Sequence, residues 1–188
     1  MQRAIILFVA IFSAVAAHAG TWSLKQQNDQ AVVETTGTAA VGDMRVKAFV
    51  SMSCNKKGSP VAWLDYTISD ADNVTKVFDL MQFEGPYAPA QARALVSLEL
   101  EGGSPAQPLL AHASGWMSSE HAGGFGFGVG GRTNESKALS QLIKRMAREG
   151  TLLRIRINPF TKQQPAIVAE FPLAGSRKTF TALSGTCR

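Results

Sequence analysis

Only one long stretch of this chain repeats with the period of a helix, and most of the rest alternates with the period of a strand. Within residues 137–150, Leu139, Leu142, Ile143 and Met146 recur at i, i+3, i+4 and i+7. They share one face, while Lys144, Arg145 and Arg148 lie around the other. Asn134 offers an N-cap, Glu135 suits the positive end of the helix dipole, Arg148 suits the negative end, and Gly150 a C′ stop. A helix of about four turns is marginal alone in water, so its apolar stripe has to dock on something. The alternating segments around it supply a sheet.

Residues 45–54 are the clearest of these. Val46, Ala48, Val50, Met52 and Cys54 fall on one side and Arg45, Lys47, Ser51 and Ser53 on the other, with Phe49 interrupting the polar side. Residues 61–69 return as a hairpin partner after the turn at 55–60. Further strands are expected over 21–26, 31–35, 75–83, 94–101, 109–117, 151–158 and 166–173, and residues 84–91 read as a connection. Residues 123–131 alternate glycine with Phe125, Phe127 and Val129. Glycine on one face of a strand admits close packing there, and the helix that follows is the expected partner. Glu170 lies where it could meet an arginine across the ladder. Phe180, Leu183 and Cys187 stand at helical spacing, an end turn brought back to the core. No strand–helix alternation appears, which excludes a doubly wound parallel sheet. The expected class is mainly β: an antiparallel β-sandwich or half-open barrel, with one amphipathic helix over about 135–149 and a C-terminal helical turn, in a single domain over 20–188.

The first residues point outside the cell. Arg3 gives a positive start, residues 4–17 are apolar or small, and Ala17-His18-Ala19 is an A-x-A cleavage site, so residues 1–19 read as a secretory signal peptide. No cysteine follows to carry a lipid, and no later segment is long and apolar enough to span a bilayer. In an exported chain the two cysteines, Cys54 and Cys187, most simply form one disulfide. The expected location is periplasmic or secreted.

Charge is divided unevenly. Residues 132–188 hold eleven Lys and Arg against three Glu, a net of +8, whereas residues 20–131 carry a net of −4. Lys144, Arg145, Arg148, Arg154 and Arg156 are therefore candidates for one basic face that binds an anionic partner, an acidic envelope polymer or an acidic protein. Export, and the scarcity of aromatics interleaved with these cations, argue against nucleic acid.

Catalytic signals are weak. The run from Gly126 to Gly131 satisfies G-x-G-x-x-G, but it opens no βαβ unit and no acidic residue follows at the required distance, so a glycine-lined strand is the better reading. His112, Glu120 and His121, with Trp116 between them, match no metal-ligand spacing. Ser118 or Ser119 with His121 makes a triad only on paper. No cofactor, metal or catalytic residue is called for, and the expected function is that of an exported binding or accessory protein. An inhibitor inserting a loop such as residues 114–124 into a hydrolase is the alternative, and a hydrolase with an unfamiliar site is the third.

The C-terminal block adds a resemblance. Leu152-x-Arg154-Ile155-x-Ile157, the run from Ala169 to Gly175, and Phe180-x-x-Leu183 with Cys187 resemble the end of small exported envelope proteins. Two kinds are similar: the accessory proteins associated with type VI secretion, and the invasion-associated locus B proteins. Trp22 near the mature start and the inward Cys54 are similar to the first kind, and the extra cysteines of the second are missing. The resemblance covers mainly residues 135–188 plus Cys54. It implies an exported β-rich accessory or interaction protein with no catalytic residues to carry over.

Overall fold

The computed structural model describes residues 20–27, 30–55, 61–84, 96–103, 107–130 and 133–187; the expected signal peptide lies outside them, as do most of the turn at 55–60 and of the connection at 84–91. In chain order the elements are β1 (Ser23–Gln27), β2 (Gln30–Val41), β3 (Met44–Asn55), β4 (Ala62–Ile68), the short helix α1 (Ala71–Val74), a 3-10 turn at Leu80–Phe83, and β5 (Val96–Glu101). Then come β6 (Leu109–Ala111), β7 (Ala113–Met117), β8 (Phe125–Gly130), α2 (Thr133–Arg148), β9 (Leu152–Ile157), β10 (Ile167–Pro172) and α3 (Arg177–Thr186). The strands form one antiparallel sheet in the order β6-β5-β9-β10-β2-β3-β4-β8-β7, curled into a nearly closed barrel. Strand β2 is long enough to serve two partners on one edge: β1 along residues 30–34 and β10 along residues 38–41.

Alternation builds the core as expected. Val46, Ala48, Val50, Met52 and Cys54 of β3 are all buried, as are Leu153, Ile155 and Ile157 of β9 and Ile167, Ala169 and Phe171 of β10. The stripe Leu139, Leu142, Ile143 and Met146 is buried as well, and α2 packs on α3 and on β4 and β8. Ser136 fixes the start of that helix: its Oγ accepts the Ala62 N–H at 2.7 Å. The two helices cover the end of the barrel marked by Cys54 and Ala62. The opposite end is filled by Phe78 and Phe83, which stack on each other, while Phe83 also meets Phe127 and Phe160 edge-on. Trp22 is buried against Phe180, and its Nε1–H donates to the Pro172 carbonyl at 2.8 Å. The Cys54–Cys187 disulfide ties the end of β3 to the end of α3, with Cα atoms 5.2 Å apart. No helix among the described residues is long and apolar enough to cross a membrane.

Three readings of the sequence need correction. Residues 75–83 are not a strand. Val74 and Phe78 are buried at i, i+4 and Leu80 and Phe83 at i, i+3, the spacing of helical turns that close the barrel. Residues 109–117 are two strands, parted at His112 so that β6 pairs with β5 and β7 with β8. Helix α2 begins at Thr133, which puts Asn134 inside its first turn rather than at the cap. The expected C-terminal helical turn is present, extended to a ten-residue helix, α3.

Candidate functional site

The register of the sheet sorts the outward residues of β2, β3, β4, β8 and β7 into rows. One row runs Thr36, Phe49, Thr67, Gly126, Trp116, and the next runs Glu34, Ser51, Asp65, Gly128, Ser114. A third holds Val32, Ser53, Trp63 and Gly130. Strand side chains alternate, so every member of these rows points away from the core. The glycines are the floor. A Cβ at Gly126 would stand 2.8 Å from Trp116 Cε2, and one at Gly128 would stand 2.9 Å from Trp116 Cζ3. The indole therefore lies along two successive outward positions of β8 with one face down on the backbone. Trp63 rests beside it, with Cζ2 3.1 Å from a Cβ at Gly128. The close approach expected at these glycines exists, but tryptophan makes it, not the helix.

Two walls rise from this floor. On one side stand β1 and Gly20, whose N–H donates to Thr36 O at 2.8 Å. On the other is the loop after β7, held to itself by Ser118 N–H to Gly124 O at 2.9 Å and His121 N–H to Ser118 Oγ at 3.1 Å. The His121 ring stacks on Phe49 with centroids 3.6 Å apart, and Lys47 Nζ stands 4.9 Å over the same phenyl ring. Between the walls is a groove of about 890 Å³ lined by Glu34, Ser51, Ser53, Asp65, Trp116 and Glu120, among others. Ligand sites commonly have volumes of about 300–1,000 Å³.

Three carboxylates line the groove, Glu34, Asp65 and Glu120. Glu34 is paired with Lys25. Asp65 has no such cation among the described residues: it accepts a hydrogen bond from Trp63 Nε1–H at 2.6 Å. Burial raises its pKa above the ordinary carboxylate value, the Trp63 hydrogen bond partly offsets this, and the charge of Glu120 raises it further. The groove thus presents a desolvated acid beside a second acid, one upward aromatic face, and a row of hydroxyls.

The cations nominated from sequence do not gather. Lys144 and Arg148 are exposed on α2, while Arg145 is half-buried and its Nε–H donates to Glu149 Oε1 at 2.9 Å. Arg154 and Arg156 project from the outer face of β9, on the opposite side of the sheet from α2. Arg154 is met by Glu170 at 2.8 Å, Glu101 at 2.7 Å and Glu99 at 3.4 Å, so it sits among three acids. The expected cross-ladder contact of Glu170 is one of these. Arg156 Nε–H donates to Asn158 Oδ1 at 2.8 Å. Of the metal-ligand candidates, His112 is buried and its backbone N–H donates to Glu135 Oε1 at 3.3 Å, whereas Glu120 and His121 belong to the groove. Among the described residues no group of three His, Cys, Asp or Glu could hold a metal. Residues 114–117 belong to β7, which leaves 118–124 as loop, folded against β3.

Sequence reasoning missed Asp65, Trp63 and Phe49 as site residues. The signal was there: all three are on the polar side of their strands, where Phe49 interrupts the alternation, and Asp65 and Trp63 are paired with alternate glycines of β8. No family model, no characterised protein and no solved structure matches the chain.

Proposed function

We propose that this is an exported binding protein which acts by holding a ligand in the outer-face groove and not by converting it. The observation that carries the reading is Asp65. A carboxylate kept partly out of water, beside another carboxylate and without a cation among the described residues, is costly to the fold and useful to a ligand that can donate hydrogen bonds to it. The disulfide suits an oxidising compartment, and the signal-like start and the resemblance of residues 135–188 to envelope accessory proteins support export. A second reading rests on Lys144 and Arg148, exposed one turn apart on α2 and free of ion pairs among the described residues. There an anionic partner would bind, through two cations instead of the five nominated.

A thermal-shift screen of small molecules of several chemical classes tests both. The groove reading expects a class that raises the melting temperature of the protein but not of Trp116→Ala. Stabilisation that survives Trp116→Ala but is lost in Lys144→Glu/Arg148→Glu and in high salt would transfer the function to α2.

A further inference from the structure

Three features of the molecule stood out as unexplained: the cleft between α2 and β5–β6, the buried hydroxyl of Tyr66, and the composition of the groove. The cleft is small, about 250 Å³, and is bounded by the leucines of the core edge. The Tyr66 hydroxyl is fully buried with no hydrogen-bond partner among the described residues, but it lies in the core away from any opening. The groove carries more.

We infer that the groove is a saccharide site, in which a hydroxyl-rich ring without acidic groups lies on Trp116 and donates to Asp65. This rests on the groove being the functional site. Four observations select the chemistry. First, Trp116 offers the groove an open aromatic face. The Phe49 ring is taken up by His121 and Lys47, and the Trp63 Nε1–H is committed to Asp65. A cage for a quaternary ammonium needs aromatic faces on several sides. A single flat platform instead fits the apolar face of a pyranose, whose C–H groups meet the negative face of the indole. Trp116 supplies that platform: it lines the groove, remains 37% exposed, and has its other face on Gly126 and Gly128.

Second, Asp65 lies in the row next to Trp116 with Ser51 beside it on β3, and both line the groove. An ionised carboxylate accepts strongly from vicinal hydroxyls, and serine hydroxyls both donate and accept. Third, the remaining charges exclude an acidic sugar. Asp65 and Glu120 stand close enough for Glu120 to perturb Asp65, so a uronate or sulfated ring would add a third negative charge. Fourth, the groove is open along the sheet from Gly20 to Ser53 and Glu120, which suits a chain of rings better than one compact molecule.

The test uses the disulfide-bonded protein and five hexasaccharide probes: cellohexaose, maltohexaose, chitohexaose, de-N-acetylated chitohexaose and an acidic oligogalacturonate. Binding is read by calorimetry and tryptophan fluorescence. At least one neutral or amino probe should bind, about tenfold or more weaker to Trp116→Ala and to Asp65→Asn, with Trp116→Phe retaining most of the affinity. The oligogalacturonate should not bind. Melting curves of each variant separate loss of binding from loss of fold. Failure of every saccharide, or affinity unchanged in both Trp116→Ala and Asp65→Asn, overturns the inference. Benzyltrimethylammonium as a sixth probe distinguishes the failures. If it alone binds, and only when Trp116 is present, the groove is the site and the saccharide class is wrong. If no probe binds and no thermal shift depends on Trp116, the groove reading falls too.

Discussion

Two outward faces of the same sheet treat charge in opposite ways. On β9, Arg154 stands between Glu99 of β5 and Glu170 of β10, directly opposite each in the ladder, with Glu101 completing the set. Its pKa is raised, chiefly by the hydrogen bond to Glu170. On β4, Asp65 has glycine across one ladder and serine across the other, and its nearest charged influence is another acid. Ionised partners of opposite sign make the first face a cross-strand clamp. The second face leaves its charge uncompensated, over a floor of glycines and beneath a tryptophan. Charge that is paired is explained by the fold, and charge that is not asks for something outside the fold.

That contrast can be strained in steps. The largest effect should come from Cys187→Ser, which cuts a tie between residues 133 positions apart. Its loss should lower stability by about 3–5 kcal/mol in the chain-entropy model. Chemical denaturation should show this while both faces, measured at a temperature where the variant is folded, keep their behaviour. The next is Arg154→Ala. It leaves Glu99, Glu101 and Glu170 without their shared cation and should cost about 1–2 kcal/mol at low salt, less as salt screens the glutamates. Saccharide binding in the groove should not change. An Arg154→Ala variant as stable as the parent would dissolve the distinction, since the β9 cluster would then be as idle as any exposed ion pair.

How far the sequence reached follows the same line. Strands β3, β4, β9 and β10 were legible because one side of each is apolar and the period is two. The half of β2 from Thr36 to Val41 was not, since Gly37, Thr38, Ala39 and Ala40 are too small to mark a face. Residues 75–83 contain Val77, Phe78, Leu80 and Phe83 and look strand-like, yet their burial has helical spacing. The disulfide was legible because there were two cysteines to join. Arg154 was visible as a cation, but its three acids lie 55, 53 and 16 residues away and reach it only through sheet pairing. The groove was hidden for the same reason. Its rows draw one residue from each of four or five strands, and no window along the chain contains them.

The smallest stability effect carries the most weight, and it belongs to Asp65→Asn. The amide keeps an oxygen for the Trp63 N–H and removes the charge. Because the folded-state pKa of Asp65 is raised above 3.8, folding favours the protonated acid. The resulting penalty is fully present above the folded value and disappears as pH falls below the unfolded one. The direct measurement is the unfolding free energy of Asp65→Asn against the parent by urea denaturation from pH 7 down to pH 4. At pH 7 the variant should be at least as stable as the parent, within about 0.5 kcal/mol on the low side. Any advantage should shrink as pH falls, and saccharide affinity at pH 7 should be about tenfold or more weaker than the parent's. An Asp65→Asn protein clearly less stable than the parent at pH 7 would contradict this, because Asp65 would then serve the fold as Arg154 does.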